Sequence, residues 1–97
     1  EIRYPQNYPF SPPFLRVVRP RFVYQTARVT SGGSLCHEIL TEKGWIPTCT
    51  TESLITIIIS EMIEGGGRID PQKYHIPYTL EEAEAAFVRV ARSHGWM

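Results

Sequence analysis

Ninety-seven residues bound the chain to one domain with a small core. At 42% hydrophobic and 21% charged it has the composition of a folded globular protein, which excludes a disordered or fibrous one. Ten basic residues cancel ten acidic ones, so there is no cationic excess to neutralise a nucleic-acid backbone.

The longest apolar run, residues 54–59, is broken by Thr56 and is far too short to span a bilayer, so no membrane partner is expected. Two cysteines, Cys36 and Cys49, are too few for a disulfide-built scaffold and point to a reducing compartment, cytoplasmic or nuclear. His37, His75 and His94 have no metal-ligand spacing relative to them, so no metal or other cofactor is implied.

Residues 1–4 alternate polar and apolar and read as strand until Pro5 stops them. Pro9, Pro12 and Pro13, interleaved with Tyr8 and Phe10, make a rigid non-helical corner. Its aromatics are expected to pack beneath it, in preference to its serving as a ligand for a proline-binding domain. Residues 14–19, with Val17 and Val18, form the best strand, ended by Pro20. Residues 25–34 are irregular, and residues 34–40 read as a short strand or an extended segment. Within this region Gly32 and Gly33 bring an open loop up to Cys36, where a thiol could meet a bulky partner. On spacing alone Cys36 reads equally well as a small buried hydrophobe. Glu42, Lys43 and Gly44 mark an exposed turn.

Residues 50–64 carry the β-branched content of a strand, but a threonine cap, Glu52 in the first turn and a length of about four turns predict a helix. Being apolar on most sides, it is expected to be central and buried. The glycines at 65–67 open a polar loop that lacks the Lys-Ser/Thr of a phosphate loop. Thr79 and Glu82 form a capping box for a helix over 79–94. Leu80, Ala83, Phe87, Val90, Ala91 and His94 share its inner stripe, and Gly95 stops it.

Taken together, Tyr-Pro-Phe-Ser-Pro-Pro at 8–13, Gly-Ser-Leu-Cys-His-Glu-Ile-Leu at 33–40, Trp45-Ile-Pro47 and a capped apolar helix resemble the ubiquitin-conjugating (UBC) family. The ending, from Tyr78-Thr-Leu through Ala83 to His94-Gly-Trp96, resembles the Q-type branch and the UBC domains attached to some ADP-ribosyltransferases. The resemblance implies an α+β fold, an antiparallel sheet packed on a central helix with a carboxy-terminal helix at one end. The family's first helix and first two strands have no counterpart ahead of the corner, so a partial domain with an unpaired strand edge is expected over residues 1–97.

The resemblance also implies a function, a ubiquitin carrier that holds its cargo as a thioester on Cys36 and passes it to a substrate amine. Its partners would be ubiquitin, a ubiquitin-activating enzyme and a ubiquitin ligase. The family's His-Pro-Asn is replaced by Thr26-Ala27-Arg28, which puts Arg28 at the asparagine position, eight residues before Cys36. There a guanidinium offers an oxyanion a donor and a positive charge, or faces solvent. Ser34, with Thr30 and Ser31, offers further donors, and Asp70 stands near the family's acidic lysine-orienting position, or is a plain loop aspartate. His37 is not expected to be a base, because neighbours in an extended segment face opposite ways. Phe10, Pro47 and Thr48 fall on the family's ligase-docking patch, with Trp45 turned inward, and Tyr8-Pro9 is expected to be cis. The alternative from another class is a non-catalytic ubiquitin- or partner-binding module, including one inside a larger ADP-ribosyltransferase.

Overall fold

In a computed structural model that describes all 97 residues, β1 (Ile2–Arg3) and β2 (Phe14–Leu15) pair antiparallel, with Ile2 opposite Leu15 and Arg3 opposite Phe14. Both strands are shorter than their β-branched surroundings predict. Beyond Leu15 the Arg16 N–H still donates to the Glu1 carbonyl and the Glu1 amino group to the Arg16 carbonyl, after which Val17 donates to Gly33 and the Val18 carbonyl accepts from the Tyr78 N–H. Arg16 also forms a bridge with Ser34. The other edge of β1 has no strand partner.

The Tyr-Pro-Phe corner joins the two strands, and its Tyr8–Pro9 bond is cis, as is Arg19–Pro20. Tyr8 packs beneath the corner, edge-on to Tyr4 and 6.2 Å from the Trp45 ring. Phe10 does not join it and is 75% exposed. Trp45 is buried, and its indole N–H donates to the Pro9 carbonyl at 2.7 Å, so the two loops are tied from inside.

Both helices start and stop where the capping chemistry says. In α1 (Thr51–Glu64) the Thr50 hydroxyl accepts from the Ser53 N–H. Beyond Glu64, Gly66 takes φ +65°, and the Gly66 and Gly67 N–H groups close back on the carbonyls of Ile63 and Met62. In α2 (Leu80–Ser93) both halves of the Thr79–Glu82 capping box are formed. Gly95, at φ +74°, ends the helix with the same closing pattern. Length and caps thus outweigh the β propensity of α1.

Leu54 and Ile58 of α1 face a core built with Leu15, Val29, Leu35, Leu40, Trp45 and Tyr78. The expected full burial of α1 fails on its outer side. Ile59 is 50% and Ile63 73% exposed, because no second layer covers that face. On α2 the inner stripe is Ala83, Ala86 and Ala91 with Phe87 half-buried, whereas His94 lies exposed at the cap.

Arg21 fastens α2 to the rest of the domain. Its guanidinium makes a two-pronged contact with the Glu82 carboxylate at 3.0 Å, donates to the carbonyls of Ile76 and Pro77, and lies 4.5 Å over the Tyr78 ring. Burial pushes the Glu82 carboxyl up, but the Arg21 and Thr79 hydrogen bonds outweigh it and hold the group below its ordinary range. Arg21→Ala is expected to destabilise the domain by about 2–3 kcal/mol in urea titrations at neutral pH. A lowered carboxyl pKa stabilises the fold above its unfolded-state value, and that contribution disappears as pH falls through the folded-state value. The difference between variant and wild type should therefore narrow in acid.

Candidate active site around Cys36

The segment carrying Cys36 is held on both sides by backbone hydrogen bonds. On one side Val17 donates to Gly33, and Leu35 donates to Leu15. On the other, Thr30 donates to the Ser34 carbonyl and Cys36 to the Arg28 carbonyl, both at 2.8 Å. Gly33 takes φ +97°, where a Cβ would collide with the Tyr78 side chain, and a Cβ on Gly32 would collide with the Glu82 carbonyl. The two glycines therefore let the loop lie directly on the first turn of α2.

Residues 26–28 form a tight turn beside the thiol. Gln25, Ala27 and Arg28 have φ of 63°, 60° and 60°, a left-handed conformation that costs each of them roughly 1–2 kcal/mol. Hydrogen bonds from several sides hold it. Thr26 Oγ1 donates to the Val23 carbonyl and accepts from the Arg68 N–H, the Ala27 N–H donates to Gly65, and the Arg28 carbonyl accepts from Cys36. The end of α1 thus braces the turn that flanks the cysteine.

Cys36 is half-buried on the wall of an open cleft of about 390 Å³. Tyr24, Gln25 and Arg28 line one side, and Arg89, Val90 and His94 of the α2 end line the other. Burial pushes the thiol's pKa up, and the Arg28 charge opposes that rise. Arg28 is half-exposed, with its Nε 3.2 Å from Glu61 Oε2. It stands beside Cys36 as the eight-residue spacing suggested.

Other sequence candidates lie elsewhere. Ser34 is completely buried, its hydroxyl 2.7 Å from that of Thr30, so it shapes the loop and does not reach the cleft. The Asp70 carboxylate accepts from the N–H groups of Gln72 and Lys73, closing its own turn off the Cys36 cleft, which is the plain loop reading. His37 Nδ1 accepts from the Ile39 N–H and caps the 3-10 turn Glu38–Leu40. Cys49 is half-buried against the core. Sequence reasoning missed Arg89 and His94 as cleft residues. The helical stripe assigned His94 inward and did not include Arg89, and only the cap geometry brings His94 out, stacked 4.4 Å from Trp96. A separate exposed surface carries Phe10, Pro47 and Thr48, its two loops joined through the Trp45–Pro9 hydrogen bond.

The profile of the family described as "Ubiquitin-conjugating enzyme" matches residues 1–94. A human ubiquitin-conjugating enzyme-like protein of the Q type is 36% identical over 99% of this chain, which covers 62% of that protein. A Q-like relative from Drosophila melanogaster is 35% identical over 99% of the chain and 32% of its own length. The human "Ubiquitin-conjugating enzyme E2 Q1" is 34% identical over 93% of the chain and 22% of its own length. This chain thus spans less than two thirds of each of these relatives. A small antiparallel two-stranded sheet and two helices agree with the match, and the chain belongs to the ubiquitin-conjugating enzyme family, in its Q-type branch.

Proposed function

We propose that the protein is a ubiquitin carrier that works through Cys36, in the cytoplasm or nucleus. The observation that carries this reading is the half-buried thiol on an open cleft wall with the Arg28 guanidinium beside it. In the loading step the Cys36 thiolate attacks the thioester carbonyl that links ubiquitin to its activating enzyme. An oxyanion forms, the activating enzyme's thiolate leaves, and ubiquitin stays on Cys36 Sγ. In the transfer step a neutral amine attacks that new thioester, loses a proton, and expels the Cys36 thiolate.

Arg28 supplies the positive charge for the oxyanion of the transfer step, a role for which the turn over residues 26–28 holds its backbone in place. The His94 imidazole, on the opposite wall, offers an acceptor for the amine's proton. No acid–base triad is needed, because a thiolate is both a good nucleophile and a good leaving group. Incubating the full-length protein with activating enzyme, ATP and ubiquitin should give an adduct that thiol reductant cleaves. If no such adduct forms and ubiquitin binding survives Cys36→Ala, the domain is a binding module.

Phe10, Pro47 and Thr48 would form the ligase-docking patch. An exposed phenyl ring beside a proline on a loop tied down by Trp45 is a ready apolar anchor. Phe10→Ala is expected to lower ligase-stimulated transfer about tenfold while leaving charging at its wild-type rate. Equal loss of both would place the defect in folding.

A further inference from the structure

The whole chain has as many acidic as basic residues, yet the charged side chains that line the cleft holding Cys36 are of one sign only. Arg28 lines it from the turn beside the thiol and Arg89 from α2, and no aspartate or glutamate does. The two guanidiniums keep donors to spare. Arg28 faces Glu61 through Nε, leaving its terminal amino groups without a hydrogen bond inside the chain. Arg89 gives one N–H to the Ser31 hydroxyl at 2.9 Å, which holds its side chain against the loop beside Cys36. Glu61 offsets part of the Arg28 charge, whereas Arg89 has no carboxylate partner, since Asp70 closes its own turn and Glu82 is clasped by Arg21.

Two consequences follow for whatever approaches the thioester. A lysine arriving as an ammonium meets like charge, which favours the neutral amine that can attack. A segment carrying an anion next to that lysine gains attraction from both walls, and guanidiniums suit the paired oxygens of carboxylates and phosphoryl groups. We infer that Arg28 and Arg89 make this site selective for acceptor lysines flanked by an anionic side chain, with Arg89 as the specificity-determining residue. The inference rests on Cys36 acting as the carrier.

The test uses the full-length protein, charged with ubiquitin and then cleared of ATP. Matched peptides with one lysine flanked by glutamate, phosphoserine, glutamine or arginine are added, and loss of the thioester is timed. Discharge should be about fivefold faster with the glutamate flank than with the glutamine flank, and slowest with the arginine flank. The gap should shrink as salt is raised. A gain with phosphoserine alone assigns the anion as a phosphoryl group, and a gain with both assigns general carboxylate or phosphoryl recognition.

Arg89→Gln should bring the ratio of the glutamate-flanked to the glutamine-flanked rate close to one, whatever it does to the rate common to both peptides. Equal rates for all four peptides, or a preference that survives Arg89→Gln, overturns the inference. If no thioester forms, the carrier reading is what fails. Fluorescence anisotropy of the same peptides on uncharged protein then decides the matter: tighter binding of the anionic peptides, lost in Arg89→Gln, supports the inference, and indifference overturns it.

Discussion

Arg28→Ala should slow discharge of ubiquitin from Cys36 to lysine about a hundredfold, the usual cost of removing one oxyanion donor. Charging should survive at alkaline pH, so the loss is one of rate and not of the fold. The same variant makes a second, signed prediction. Burial raises the thiol's pKa and Arg28 opposes that rise, so removing the guanidinium raises it further. Because the thiolate is the attacking species, the charging rate climbs with pH, and the variant's curve should lie on the alkaline side of the wild type's. Single-turnover charging across a pH series reads this directly. A curve displaced to the acid side would mean that Arg28 does not act on Cys36. Arg28→Lys should restore part of the pH effect, since the charge returns, but less of the discharge rate, since the planar donor fork does not.

The largest effect on stability is expected at Trp45. Its ring is buried against Tyr8, and its N–H is the one observed hydrogen bond between the Trp-X-Pro loop and the Tyr-Pro-Phe corner. Trp45→Ala should cost about 3–5 kcal/mol in urea unfolding, enough to leave a domain of ordinary stability largely unfolded. Trp45→Phe keeps most of the apolar contact but strands the Pro9 carbonyl, and should cost about 1–2 kcal/mol. If Trp45→Phe were as damaging as Trp45→Ala, the hydrogen bond and not the packing would be what joins the two loops.

Helix ends were the most legible part of the fold, because capping is a local code. Thr50, Thr79 with Glu82, the glycines at 65–67 and Gly95 each act where the sequence placed them. The inward Trp45 was likewise readable from its loop. Strand lengths were not: Val17 donates to Gly33 and the Val18 carbonyl accepts from Tyr78, sixty residues away in the chain, and no local pattern around Val17 and Val18 records those partners. The exposure of Ile59 and Ile63 was missed for a related reason, since apolar content says nothing about whether a second layer exists to cover it.

At the site, the family resemblance carried real information about Arg28, since the position it marks, eight residues before Cys36, lies beside that residue and its carbonyl accepts from the Cys36 N–H. Residue type misled at Ser34 and Asp70. A hydroxyl and a carboxylate near a nucleophile invite a chemical role, yet their nearest unpaired partners were local ones, the Thr30 hydroxyl and two turn amides. The left-handed geometry of Gln25, Ala27 and Arg28 had no glycine to announce it. It is set by contacts with Gly65 and Arg68, which only the folded chain brings near.

A pair of single substitutions tests whether Cys36 is the sulfur that carries ubiquitin. Full-length wild-type protein, Cys36→Ser and Cys49→Ser are each incubated with activating enzyme, ATP and ubiquitin, then split between reducing and non-reducing gels. The predicted result is a reductant-cleaved adduct in the wild type and in Cys49→Ser, with Cys36→Ser giving either a reductant-resistant ester or no adduct. Cys49 is half-buried against the core and does not line the cleft, so its loss should not matter. A reductant-cleaved adduct that persists in Cys36→Ser, or one that vanishes in Cys49→Ser while that variant remains folded, would contradict the assignment of Cys36 as the carrier.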